Sequence, residues 1–246
     1  YASSEAGKLR DVLLNRGLAV TSIKRMFGSI KAIINLSLAE HGIDDRNPFS
    51  SIYMPDEQPE ERCPIPLDCI RQIQHDCAAA DDEKRWLLAL ISDTGMRLSE
   101  AVGLLKEDII LDNPVPHVII QSHPWRSLKT KGGARVLPLV GAALWAAKRL
   151  QTHDSSFAFA SYCSQNVCKA NSASGALNKW MKPRVRVDGV VHSFRHSLRD
   201  RLRAVECPSD IIDQIGGWSS GTVGSSYGKG YELPVLLKWM KMLEEQ

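Results

Sequence analysis

Between positions 192 and 199 the chain reads His192-Ser193-Phe194-Arg195-His196-Ser197-Leu198-Arg199. His192, Arg195 and Arg199 fall three and four residues apart, so on a helix an imidazole and two guanidinium groups project side by side. Potential cations crowded on one face repel each other unless an anion sits among them. A phosphate would suit, because a guanidinium fork can grip two of its oxygens. An ordinary solvated basic face would show the same spacing. Further along stand Trp218, preceded by Gly216-Gly217, and Tyr227, closed off by Gly228.

The elements that must hold these residues are legible in the apolar pattern. Val191, Phe194, Leu198, Leu202 and Val205 form a second stripe on the same helix, facing a core. Residues 209–215 read as a short helix with Ile211, Ile212 and Ile215 apolar, stopped by Gly216-Gly217, and Ser219-Ser220 reads as a further helix start. Upstream, 67–73 begins a helix, and 83–92 forms another with Trp86, Leu87, Leu90 and Ile91 inward. Thr94-Gly95 breaks it, and Met96-Arg97-Leu98-Ser99-Glu100 opens the next. Arg97 would then sit in a first helical turn, where the macrodipole disfavours a cation by roughly 0.3–1 kcal/mol. A residue that breaks a local rule is a candidate for function; an arginine simply paired with Glu100 or Asp93 is the alternative.

Residues 118–121 are strand-like, and 127–139 read as a hairpin turning at Gly132-Gly133, with Lys129 and Lys131 on it. Residues 141–150 make an amphipathic helix, 155–174 are polar and short on pattern, and 177–181 are again apolar at helical spacing. Leu233, Leu236, Leu237, Met240 and Leu243 mark a terminal amphipathic helix, with Pro234 in its first turn. At the front, 8–16 is a short helix ended by Gly17. A second starts with Thr21 as N-cap and carries Ile23, Met26, Phe27, Ile30, Ile33, Ile34 and Leu38 up to Gly42. That stripe is wide enough to call for burial on more than one side, and two such helices can hardly close a core alone. Lys24, Arg25 and Lys31 on it could touch a DNA backbone or simply be solvated. Residues 53–66 are proline-rich, acidic and aperiodic, the composition of a linker. The division expected is 1–52, a linker 53–66, and 67–246 with a tail helix at 233–243. The fold class is mostly α with a small antiparallel β-sheet.

The 246 residues are 43% hydrophobic and 24% charged, as in an ordinary globular protein, and the net charge is only +3. Any nucleic-acid surface must therefore be local. No apolar run of about eighteen residues is present, which excludes a membrane-spanning helix. Six cysteines (Cys63, Cys69, Cys77, Cys163, Cys168, Cys207) show no Cys-x-x-Cys pair and no zinc spacing, which suits free thiols in a reducing cytoplasm. There is no internal repeat, no phosphate-cradling glycine loop and no acidic cluster fit for magnesium, so neither metal nor cofactor is expected. The first residues carry neither a signal pattern nor a methionine and read as part of a longer protein.

His-x-x-Arg, then Gly-Gly-Trp, then a tyrosine nine residues after the tryptophan resembles the C-terminal half of the tyrosine recombinase site of the phage integrase family. Thr94-Gly95-Met96-Arg97-Leu98-Ser99-Glu100 resembles that family's first arginine box, usually Thr-Gly-x-Arg-x-Ser-Glu. Lys129-Thr130-Lys131-Gly132-Gly133-Ala134-Arg135-Val136-Leu137-Pro138-Leu139 resembles the family's hairpin, whose lysine reaches into the DNA minor groove. Residues 1–52 resemble the last helices of the core-binding domain that precedes the catalytic one. Each box alone is weak; their order over 67–242 is specific. Departures are tryptophan where histidine is commoner, the Gly-Gly before it, and the missing front of the DNA clamp.

The resemblance implies a site-specific DNA recombinase, the integrase of a phage or genomic island, working through a 3′-phosphotyrosyl intermediate. Tyr227 would be the nucleophile, Arg97 and Arg195 would grip the non-bridging oxygens, and Trp218 would donate its indole N–H to one of them. His192 would donate or assist proton transfer, and Lys129 would protonate the 5′ leaving oxygen, with Lys131 as competitor. Glu100 would hold Arg97 or His192. Arg199 and Lys131 would be further DNA contacts. The partners implied are double-stranded DNA and other copies in a tetramer on it, with a monomer possible without DNA, in the cytoplasm at the nucleoid. A catalytically silent DNA-binding relative and a type IB topoisomerase are the alternatives. The terminal helix could fold back or reach a neighbour; the resemblance favours the neighbour.

Overall fold

The computed structural model describes residues 2–56, 63–129, 133–185, 188–218 and 230–246, and the chain divides into two compact units, 1–61 and 62–246. In the first unit, α1 (Ser3–Asn15) and α2 (Val20–Glu40) are joined at Gly17, whose φ of +75° suits glycine. The first helix starts earlier than its apolar pattern suggests. The second is preceded by Ala19, so Thr21 lies inside it rather than capping it. Leu13, Ile23 and Phe27 form the small core with Phe49 edge-on to Phe27 at 5.1 Å. The wide apolar stripe is not enclosed by this unit: Met26, Ile33 and Leu36 are exposed. One short partner helix and a following loop cover only one side of it. Buried Asn47 ties that loop down, donating to the Lys31 carbonyl at 2.9 Å and accepting from the Phe49 N–H at 2.9 Å.

The second unit is built round α4 (Glu83–Thr94), in which Leu87, Leu88, Ala89, Leu90 and Ile91 are all fully buried. A helix apolar on every side belongs at a centre. It packs against α3 (Leu67–Ala80), α6 (Gly141–Leu150) and α8 (Ser193–Ala204). Asp82 caps its start by accepting from the Arg85 N–H at 3.0 Å. Gly95 ends it in the left-handed region, φ +57°, where a Cβ would lie 2.6 Å from Leu198. That glycine therefore sets how closely the start of α5 (Leu98–Val102) approaches α8.

β1 (Ile109–Ile110), β2 (His117–Ile120) and β3 (Arg135–Pro138) form an antiparallel sheet in that order. Ile120 faces Arg135 and His117 faces Pro138. The hairpin expected within 127–139 is thus corrected: its second limb is β3, but the partner strand is β2, and 121–134 connect the two. The β-branched run at 118–120 makes the better strand, and Ser127-Leu128-Lys129 has no such side chains to offer. The stretch 155–174 also holds more than its composition announces. Ala158 and Phe159 are fully buried, β4 (Cys163–Ser164) pairs with β5 (Val167–Cys168), and α7 (Ala170–Met181) starts inside it.

Downstream lie α9 (Ser209–Gly216) and α10 (Leu233–Lys241). The last helix packs on β3 of its own unit, with Leu236, Met240 and Leu243 buried. Arg201 donates to the Leu243 carbonyl at 3.1 Å, and the Gly141 N–H donates to Glu244 at 2.6 Å. In this single chain the tail thus folds back on its own unit, one of the two arrangements that the sequence left open.

Candidate active site

Arg97 is the residue just before α5 rather than part of its first turn, and there Glu100 offsets its charge beside the positive end of the helix. Its backbone N–H donates to Glu100 Oε2 at 3.0 Å and its Nη1 to Oε1 at 2.6 Å. The Glu100 pairing considered from the sequence is therefore real. Asp93, the other carboxylate considered, is taken by Arg201 at 2.9 Å.

Glu100 is buried, and a second arginine holds its other side: Arg135 Nη2 donates to Oε2 at 2.9 Å. Burial pushes the carboxyl pKa up, but the Arg135 charge and the hydrogen bonds from Arg135 and Arg97 outweigh it and keep the group below its ordinary 4.5. Glu100 thus holds Arg97, as one of the two expectations had it.

Arg195 lies on the core side of α8, only 4% exposed, so it is no part of a solvated face. Its Nη1 donates to the Gly95 carbonyl at 3.0 Å and its Nη2 to the Gly216 carbonyl. Both of these hydrogen bonds go to neutral carbonyl groups rather than to carboxylates. Burial, then the charges of Arg97 and Arg135, lower its pKa to about 10, so it remains a cation at neutral pH. Such a group is stabilised by an arriving anion.

Gly216 and Gly217 bring the tryptophan in. A Cβ on Gly216 would stand 1.8 Å from the Trp218 ring, and Gly217 has φ +60° with Arg135 pressed against it. Both positions need glycine, which accounts for the departure from the family pattern at Gly216-Gly217. The backbone N–H of Trp218 donates to the Asp213 carbonyl at 2.9 Å. Arg195 and Arg199 lie 4.4 Å and 5.0 Å from its ring centre, in cation–π contact. Arg199 also reaches Asp213 at 3.4 Å.

The structure therefore brings together Arg97, Glu100, Arg195, Arg199 and Trp218, from α5, α8 and the end of α9. His192 is exposed one turn before Arg195, its ring 5.5 Å from that of His196. Lys129 is exposed on the β2–β3 connection. Tyr227 and Lys131 lie outside the described residues. Lys24 and Arg25 are exposed and Lys31 is half-buried, all on α2 of the other unit. Tyr231, four residues after Tyr227 in the sequence, is occupied: its hydroxyl donates to Asp210, and that bond raises its pKa. The residue that sequence reasoning missed is Arg135. A signal existed: it shares a strand face with buried Leu137, a position at which an unpaired cation is not tolerated.

Residues 66–231 match the model of the phage integrase family. The chain belongs to the phage integrase family. It is thus a site-specific DNA recombinase, an enzyme that breaks and rejoins DNA strands, and the topoisomerase alternative is not favoured. Among solved structures it resembles the Tn1549 transposon integrase in complex with a circular intermediate DNA, at TM-score 0.68 and 17% identity, covering 98% of this chain and 85% of that one. It also resembles a lambda integrase tetramer bound to a Holliday junction, at 0.63 and 15%, covering 93% and 66%. The integrase from mycobacterium phage Brujita follows at 0.57 and 15%, covering 99% and 78%. At these identities the likeness is one of fold. No curated protein matches the sequence. No described helix is long and apolar enough to cross a membrane.

Proposed function

We propose that this member of the phage integrase family is the integrase of a phage or genomic island, and that it cleaves duplex DNA with Tyr227. The observation that carries the reading is the buried Arg195. It is held by two carbonyls beside Arg97 and Arg135, with one carboxylate, Glu100, already shared between those two. A site with that surplus of guanidinium groups is made for a phosphate.

In this reading Arg97 and Arg195 present planar donors to the non-bridging oxygens of the scissile phosphate. Charge that grows on those oxygens as the fifth bond forms meets donors already in place. Trp218 adds its indole N–H, fixed against the Arg195 and Arg199 guanidiniums. The Tyr227 oxygen attacks phosphorus while the bond to the 5′ oxygen breaks, so the chain is joined to the 3′ end as a phosphotyrosyl ester. That ester keeps the bond energy needed for rejoining. The phenol proton leaves with help from His192, and Lys129 gives a proton to the departing 5′ oxygen. Residues 1–52 serve as part of a core-binding domain, with Lys24, Arg25 and Lys31 on phosphates and 53–66 as the linker to the catalytic domain. Lys131 and Arg199 serve as further contacts on the catalytic side.

Several copies acting in a tetramer on DNA, in the cytoplasm at the nucleoid, complete the proposal. The test is covalent trapping on supercoiled DNA: denaturation should leave protein attached to DNA, and a silent DNA-binding relative would leave none.

A further inference from the structure

The Arg135 side chain touches three of the segments from which the site is assembled. Its Nη2 donates to Glu100 Oε2 at 2.9 Å, its Nε to the Ile215 carbonyl at 3.0 Å, and its Nη1 to the Gly133 carbonyl at 2.9 Å. The first bond leads to Arg97, the second to the Gly216-Gly217 turn that delivers Trp218, and the third to the returning limb of the connection that carries Lys129. The side chain is 4% exposed, so it does not serve as a surface contact. A Cβ at Gly217 would come within 2.8 Å of Nη1, so the turn is built to let this guanidinium pass.

We infer that Arg135 is a positioning residue: its three-way fork locks the lysine-bearing connection to the arginine and tryptophan segments. The geometry requires arginine. A lysine ammonium would keep the charge, but as a compact single centre it cannot reproduce a planar fork directed at three acceptors. Losing the fork frees the base of the connection, and Lys129 then protonates the leaving oxygen from a poorly held position. Displacement of a catalytic group by about 1 Å can cost on the order of 10²-fold in rate. The inference rests on the proposed role of Lys129 as general acid.

The test compares two DNA duplexes built on a cleavage position mapped from trapped adducts. One carries the normal 5′ bridging oxygen at that position and the other carries sulfur, a leaving group that needs no proton. Single-turnover cleavage is measured for the wild-type chain, Arg135→Met, Arg135→Lys and Lys129→Ala, and the readout is the sulfur-to-oxygen rate ratio. A residue that only maintains the fold slows both substrates alike and leaves that ratio unchanged. Both Arg135 variants should raise it at least tenfold, the oxygen substrate falling by roughly 10² and the sulfur substrate much less. A wild-type ratio in either variant overturns the inference. If Arg135→Met does not fold, Arg135→Lys decides alone. When Lys129→Ala shows the raised ratio and the Arg135 variants do not, only the positioning role is lost. When Lys129→Ala itself shows no change, the assignment of Lys129 fails and the coupling to Arg135 fails with it.

Discussion

Ending the chain after Glu232 removes α10, and the structure gives the size of the loss. Leu236, Met240 and Leu243 are each buried to within a few per cent. Full burial of such a side chain contributes about 1.5–3 kcal/mol, so the three together contribute about 4–9 kcal/mol. An extended-chain reference overstates burial by roughly 10–40%, which leaves about 3–8 kcal/mol. The truncation also removes Glu244 from the Gly141 N–H and the Leu243 carbonyl from Arg201, whose Nε is already buried without a partner. For a unit of this size each kcal/mol shifts the melting temperature by about 2–4 °C, so a fall of about 6 °C or more is expected. Circular dichroism against temperature, on the full and the shortened chain, measures it in the transition of the larger unit. A melting temperature within about 2 °C of the full chain's would refute the reasoning and show that the helix contributes little to its own domain.

Two further perturbations follow from the site. Gly216→Ala drives a methyl group into the Trp218 ring and should displace the indole; loss of one donor at the developing charge costs about 10²–10³-fold. Single-turnover cleavage should show that loss with DNA retention unchanged, and undiminished cleavage would remove Trp218 from the site. Glu100→Gln tests the buried carboxylate through pH. Its pKa is lowered in the folded chain, so its stabilising contribution is fully present above the ordinary 4.5 and is lost as pH falls through the lower folded value. The stability gap between wild type and Glu100→Gln, measured by denaturant titration, should be constant above about pH 5 and close below it. A gap independent of pH down to acid unfolding would show that the Glu100 charge does no such work.

The helices that carry the site were legible because their apolar residues repeat at helical spacing. Phe194, Leu198 and Leu202 fix the face of α8, and Gly95 and Gly217 mark ends at which the backbone turns left-handed. The order of Arg97, His192, Arg195 and Trp218 could be read for the same reason, since each sits at the boundary or on the face of such an element. What could not be read depends on pairing at a distance. Arg195 looks like one more basic residue on a helix until Gly95 and Gly216 close over it from 100 and 21 residues away. Arg135 is hidden likewise, because its partners lie on α5 and α9 and strand spacing names neither. The choice of β2 as partner for β3, and of its own sheet as the seat of α10, are comparisons between competing surfaces. A local pattern states only that a surface needs covering.

The central claim is that Tyr227 attacks phosphorus, and adduct trapping tests it most directly. The wild-type chain, Tyr227→Phe and Tyr231→Phe are incubated with supercoiled DNA, denatured, and assayed for protein that stays covalently attached. Tyr231, whose hydroxyl donates to Asp210, is expected to be dispensable. The account predicts adducts from wild type and Tyr231→Phe and none from Tyr227→Phe, which should still retain DNA before denaturation. Adducts from Tyr227→Phe, or their disappearance in Tyr231→Phe alone, would contradict it.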